Sequence, residues 1–123
     1  MKNLEWLKIT DRNFEKIEDK PGLYIISLLF DNGMYYAMFV DKSEHLKESI
    51  TRCFSKKEVD PDLKEFLASN FSIKVSYCYC DSNILDGTKM FLIGTLNPLF
   101  NDEIVDIDEK YRCSLPSTNK CPI

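Results

Sequence analysis

The sequence predicts an α+β domain built on a small antiparallel β-sheet. Three observations carry that expectation. Two apolar, strand-length runs flank a strong turn, a third run alternates strictly, and the segments between them show helical spacing. The chain has 123 residues, 44% apolar and 29% charged, which is ordinary globular composition for one domain.

Residues 11–17 read as a short helix, with Thr10 or Asp11 as cap and Phe14 and Ile17 on one face. Pro21-Gly22 interrupts the chain, and residues 23–30 (LYIISLLF) then form a strand-like run. Asp31-Asn32-Gly33 predicts a hairpin turn, because Asn and Gly tolerate positive φ. Residues 34–40 (MYYAMFV) return as its partner. A helix is expected just after Val40, capped by Asp41 or Ser43, with Leu46, Ile50, Cys53 and Phe54 inward. Asp60-Pro61 opens another helix, with Leu63, Phe66 and Leu67 inward. In residues 72–80, Ile73, Val75, Tyr77 and Tyr79 share one face and Lys74, Ser76, Cys78 and Cys80 the other, a third strand. Residues 84–96 form the last helix, stopped by Asn97-Pro98. Residues 1–101 constitute the domain, and 102–123 an acidic, mostly irregular extension in which Ile104 and Val105 add a short edge strand.

The formal charge is −4, yet it is unevenly spread. Residues 42–57 carry five Lys+Arg (Lys42, Lys47, Arg52, Lys56, Lys57) against two acids, while 102–109 carry five acids and no base. The balance argues against a surface that clings to nucleic acid everywhere and leaves the basic helix expected over 42–57 as a local exception. No run approaches the roughly 18–20 apolar residues of a membrane span, so no membrane partner is expected. Glu5 and Lys8 interrupt the apolar residues of the opening stretch, unlike a signal peptide. The five cysteines are an odd number in a chain large enough to fold without staples, and an intracellular, cytoplasmic protein with reduced thiols is expected. Cys78-x-Cys80 lacks the spacing that opens a zinc knuckle; with Cys113 and Cys121 it remains an alternative metal site to buried thiols.

No Gly-rich phosphate loop, H-E-x-x-H or G-x-S-x-G is present. His45 is the single histidine, and Cys53 lies eight residues on, about 12 Å along a helix, so the two cannot pair. The tyrosines fall mostly on strands, where sheet packing is their ordinary role.

The order of elements and the residues at their corners resemble the GIY-YIG nuclease domain over residues 21–101. The first motif reads Gly22-Leu23-Tyr24 after Pro21, and the second Phe39-Val40-Asp41, followed by Lys42-Ser43-Glu44-His45-Leu46. The last helix carries Lys89-Met90-Phe91-Leu92-Ile93 and closes on Leu96-Asn97-Pro98-Leu99-Phe100-Asn101. Tyr24 and Phe39 lie about equally far from the turn, which makes them cross-strand partners; Tyr35-Tyr36-Ala37 is the alternative second motif.

The resemblance implies phosphodiester cleavage by a metal held on Glu, a tyrosine that helps activate water, and an Arg that stabilises the phosphate. Carried across by position, Tyr24, Lys42 and Asn101 remain. The second tyrosine is Phe39, the glycine is Asp41, the Arg is Ser49, the residue one turn later is Cys53, and the Glu is Lys89. An ammonium cannot ligate a cation and Phe39 has no hydroxyl, so no catalysis, metal or cofactor is expected. The expected function is a catalytically inactive, GIY-YIG-like binding or regulatory module. Its first expected partner is a protein and its second nucleic acid, through 42–57, with Tyr24, Lys42, Lys47, Arg52, Lys89 and Asn101 as binding residues. The alternative is a divergent endonuclease that holds Mg or Mn on Asp41 and Asp86, although helix capping and the helix dipole already give those carboxylates ordinary roles.

Overall fold

A computed structural model describes residues 2–55, 57–58 and 60–116. Lys56 and Cys121, which figured in the sequence reading, lie outside the described residues. The chain runs through β1 (Leu7–Ile9), β2 (Gly22–Leu29), β3 (Tyr35–Ser43), α1 (Leu46–Cys53), α2 (Pro61–Ala68), β4 (Ile73–Tyr79) and α3 (Leu85–Leu96), with short 3-10 turns at Ser82–Ile84 and Glu109–Tyr111. The strands form one antiparallel sheet in the order β1-β4-β2-β3, so the fold is α+β. Among the described residues no helix is long and apolar enough to cross a membrane.

The hairpin turn is closed by Gly33, whose φ of 82° needs glycine, and by the Asn32 Oδ1, which accepts from the Met34 N–H at 3.0 Å. Its two arms do not pair in the expected register. A bulge between Ile26 and Ser27 offsets them, so Tyr24 stands opposite Asp41 and Phe39 opposite Ile26.

Both faces of the sheet are covered. On one side Tyr24, Ile26, Ile73, Val75 and Tyr77 pack with Leu46, Ile50 and Cys53 of α1 and with Leu63, Phe66 and Leu67 of α2. On the other, Leu23, Ile25, Val40 and Cys78 pack with Leu85, Phe91, Leu92 and Ile93 of α3 and with Cys113. The alternation along β4 therefore does not divide inside from outside: Lys74 and Ser76 are as buried as Val75.

The helix expected at Asp60-Pro61 is present as α2, and Asp60 caps it, its carboxylate accepting from the N–H groups of Asp62 at 2.9 Å and Leu63 at 3.3 Å. Three expectations are corrected. Residues 11–17 are turns: Asp11 and Asn13 side chains capture the N–H groups of Asn13 and Glu15, and Arg12 has φ 59°, outside a right-handed helix. The helix after Val40 starts later, because β3 keeps pairing with β2 as far as Ser43 opposite Gly22. Asp41 and Ser43 consequently cap nothing; α1 begins from His45 with no side-chain cap, and Ser43 Oγ accepts from the His45 N–H at 2.9 Å. Ile104 and Val105 form no strand, whereas β1, a three-residue edge, was not anticipated.

Residues 102–116 lie along the domain. Val105, Tyr111 and Cys113 join the core on the α3 side, and Ser114 binds Leu4 N at 2.8 Å through its hydroxyl and the Trp6 indole N–H at 2.8 Å through its carbonyl. This covering explains why α3 is apolar on most of its circumference: it is enclosed between the sheet and this segment. Two glycines make the fit. A Cβ on Gly87 would fall 2.2 Å from Tyr111 Cζ, and one on Gly94 2.6 Å from Ile107 Cγ1. Gly→Ala in an exposed helix gains about 1 kcal/mol; here the sign should reverse. Urea denaturation of Gly87→Ala should show a loss of about 1–3 kcal/mol from overpacking, and Gly87→Ala combined with Tyr111→Ala should lose less than Tyr111→Ala alone. A more stable Gly87→Ala single variant would mean that Tyr111 is not seated on α3.

Candidate functional site around the end of strand β3

The positions singled out in the sequence gather around residues 40–42 of β3, but they approach from different sides. On the α1 side, the Tyr24 ring is buried and lies 6.1 Å from the Phe39 ring. Asp41 stands opposite Tyr24 on β3, and Cys53, from the last turn of α1, meets the Tyr24 hydroxyl. Burial pushes the Tyr24 phenol well above its ordinary value, and the neighbouring Cys53, Asp41 and Glu58 add to it. Burial, then the Glu58 carboxylate, pushes the Cys53 thiol up as well. Both groups are held protonated, so neither supplies a base near neutral pH. Ser49, at the Arg position, faces Ser43 with its hydroxyl 2.5 Å away.

On the α3 side, Lys42 follows Asp41 and is directed to the opposite face, where its ammonium pairs with Asp86. That ammonium holds the Asp86 carboxyl below the usual carboxylate range. Lys89, one turn further along α3, reaches Asp41 at 3.3 Å and Glu103 at 3.7 Å, and its side chain is only 17% exposed. Two ammonium groups and three carboxylates thus tie together α3, the end of β3 and the acidic segment that follows α3. Glu103 was visible in the sequence as part of an acidic run; only the path of the chain brings it to Lys89.

Asn101 works on the backbone. Its side chain accepts from the Val40 N–H at 2.8 Å and donates to the Val40 carbonyl at 2.9 Å, while Phe100 N–H donates to the Met38 carbonyl at 2.8 Å. The residues after α3 thereby close the open edge of β3. Lys47 and Arg52 lie apart from this group. With Asp19, Glu48, Thr51 and Lys57 they line a groove of about 440 Å³ on the outer side of α1. His45, exposed at the start of that helix, sits 3.4 Å from the Asp19 carboxylate.

Cys78 and Cys80 share one face as the alternation implied, and Cys113 is buried with Cys78 in the core on that side. Cys78 hydrogen-bonds to Cys80, which lowers Cys80 and raises Cys78. Burial lifts Cys113 to about 11. All four described cysteines are free. Among the described residues no group of three or more His, Cys, Asp or Glu side chains is placed to hold a metal ion.

Two measurements follow from these shifts. Peptide mapping after brief iodoacetamide treatment near neutral pH should find Cys80 alkylated well before Cys53, Cys78 and Cys113; comparable labelling of Cys53 would contradict its buried, protonated state. The raised Tyr24 value adds an alkaline limit. Below pH about 10 the phenol is protonated in folded and unfolded chains alike, and above it only the unfolded chain ionises freely, so stability is lost as pH rises. Denaturation curves of Tyr24→Phe should fall less steeply above that pH than those of the parent chain.

Comparison with protein-family models, with curated proteins and with solved structures finds no match to this chain.

Proposed function

We propose that this chain is a GIY-YIG-like module that does not cut phosphodiesters and serves as a binding or regulatory domain for a protein partner. The observation that carries the reading is the seat of Lys89. Where the resemblance requires a carboxylate to hold a metal ion, an ammonium lies between Asp41 and Glu103. The cation of this site is a side chain, fixed by its own carboxylates, and a second cation entering there would be repelled by it.

The kind of partner is supported by the groove on α1. Lys47, Arg52 and Lys57 alternate there with Asp19 and Glu48. A polypeptide surface carrying both signs matches such a pattern, whereas a phosphate backbone would meet the two carboxylates. Lys42 and Lys89, which would otherwise suit phosphate, are already engaged by Asp86, Asp41 and Glu103. The four free thiols suit a reducing, cytoplasmic compartment.

The test has two arms. Purified chain incubated with DNA and RNA in Mg²⁺ or Mn²⁺ should produce no cleavage. Products that disappear on Asp41→Ala or Asp86→Ala would establish the rearranged nuclease instead. In the binding arm, Lys47→Glu with Arg52→Glu should abolish recovery of the protein partner from the source cell while leaving the thermal melt of the domain unchanged. Saturable DNA or RNA binding that weakens steeply between about 50 and 200 mM salt would replace the protein partner with a nucleic acid.

A further inference from the structure

The sheet face under α3 is apolar where Leu23, Ile25, Val40 and Cys78 meet the helix. Toward the hairpin end the same face becomes polar. Ser27 of β2 stands directly opposite Lys74 of β4, and Ser76 of β4 directly opposite Lys8 of β1. Ser27, Lys74 and Ser76 are 0, 4 and 1% exposed. The Lys74 ammonium lies over the Tyr35 ring, 4.3 Å from its centre. The hydroxyls of Ser27 and Ser76 are buried without a hydrogen-bond partner among the described residues, an arrangement that folded proteins avoid unless something else meets them.

Beside this polar strip opens a hollow of about 520 Å³, a volume suited to a small molecule. Its lining includes Lys8, Thr10, Arg12, Tyr35, Phe71 and Ser72, with no carboxylate among the described residues. Asp11, next in the chain to two of these, accepts from the Asn13 N–H at 3.0 Å and is not part of the lining. The Arg12 guanidinium is fixed at the wall by the carbonyls of Leu67, Ser69 and Phe71, at 2.6, 3.2 and 3.4 Å. Those bonds hold its position and leave its charge unneutralised, since among the described residues neither Arg12 nor Lys8 is paired with an acid. Among its described lining residues the charged groups, Lys8 and Arg12, are both cationic, with hydroxyl donors and aromatic rings beside them; Asp31 stands in the adjoining hollow that shares Phe71 and Ser72. Phe71 stays half exposed at the rim although it stacks on Phe66, at 5.5 Å between ring centres.

We propose that this hollow binds a small phosphorylated molecule with an aromatic body. The phosphate oxygens accept from the Lys8 ammonium and the Thr10 and Ser72 hydroxyls, in the field of Arg12, and the body lies against Phe71 and Tyr35. The hollow and the α1 groove share no lining residue, so this site stands independently of the partner surface proposed above.

Isothermal titration of the whole chain tests it with adenosine monophosphate, adenosine and inorganic phosphate as probes. Adenosine monophosphate should bind saturably, about tenfold or more tighter than either fragment. Lys8→Ala with Ser72→Ala, both at exposed positions, should weaken it by about tenfold with an unchanged thermal melt, and Lys47→Glu with Arg52→Glu should leave it as in the parent chain. Absence of saturable binding at millimolar ligand overturns the proposal. So does equal binding of adenosine and its monophosphate, or affinity that survives the Lys8→Ala, Ser72→Ala change.

Discussion

The pairing of β2 with β4 in the middle of the sheet, buried on both faces, is the constraint on which the remaining structure depends. It begins at Gly22, which lies so close to its neighbours that a Cβ would fall 2.3 Å from the Cys78 carbonyl oxygen and 2.8 Å from Leu46 Cδ2. Around this corner the Pro21 carbonyl accepts from the Cys80 N–H at 3.1 Å and the Lys20 carbonyl from the Leu46 N–H at 3.0 Å. The start of β2, the end of β4 and the start of α1 are therefore held at one point. A central pair buried on two sides needs two covering layers. The segment between β3 and β4 supplies one as α1 and α2; α3 and the chain beyond it supply the other.

That arrangement separates what local sequence can reveal from what it cannot. The hairpin turn and the start of α2 were legible because their signals are local: a glycine at positive φ and a capping aspartate before proline. The end of β3 was not. Asp41 and Ser43 look like caps, yet cross-strand pairing to Gly22 continues through them and postpones the helix. The three residues of β1 carry no pattern of their own and become a strand by bonding to the outer edge of β4. Along β4, alternation suggested a polar outer face, because sequence spacing does not report that a second layer will cover Lys74 and Ser76. At the site the same division holds. The helix bearing Lys89 was legible, whereas Lys42, read as part of the basic helix, lies on β3, and the partners Asp86 and Glu103 were assigned by the path of the chain.

The mild acidity of the chain acquires a structural meaning from these contacts. Asp41, Asp86 and Glu103 are consumed against Lys42 and Lys89, so one acid of the segment after α3, Glu103, helps to fasten α3 to the edge of the sheet, while Asp102, Asp106, Asp108 and Glu109 stay exposed. Exposed pairs of this kind are individually worth little, because solvent screens them. Their geometric effect is larger, because Lys89 is mostly enclosed and Asn101 pins the adjoining backbone to Val40. Among the described residues, the mixed groove of α1 and the hollow lined by Lys8 and Arg12 stay open to the outside.

The bulge opposite Ile26 and Ser27 links the two ends. Tyr35 and Ala37 share a face with Leu29 and Ser27, the side of the sheet that carries α3. In a regular strand Phe39 would follow them onto that face. Met38 is the additional residue, and beyond it the parity reverses: Phe39 and Asp41 turn toward Tyr24 and α1, Val40 and Lys42 toward α3. Had the strand been regular, Val40 would have stood opposite Tyr24, and Lys42 would have left the face on which it meets Asp86. The single inserted residue lets β3 serve two chemistries. Before it, Tyr35 flanks the hollow and carries the Lys74 ammonium on its ring. After it, Asp41 and Lys42 stand on opposite sides of the same edge, each within reach of its own partner on α3.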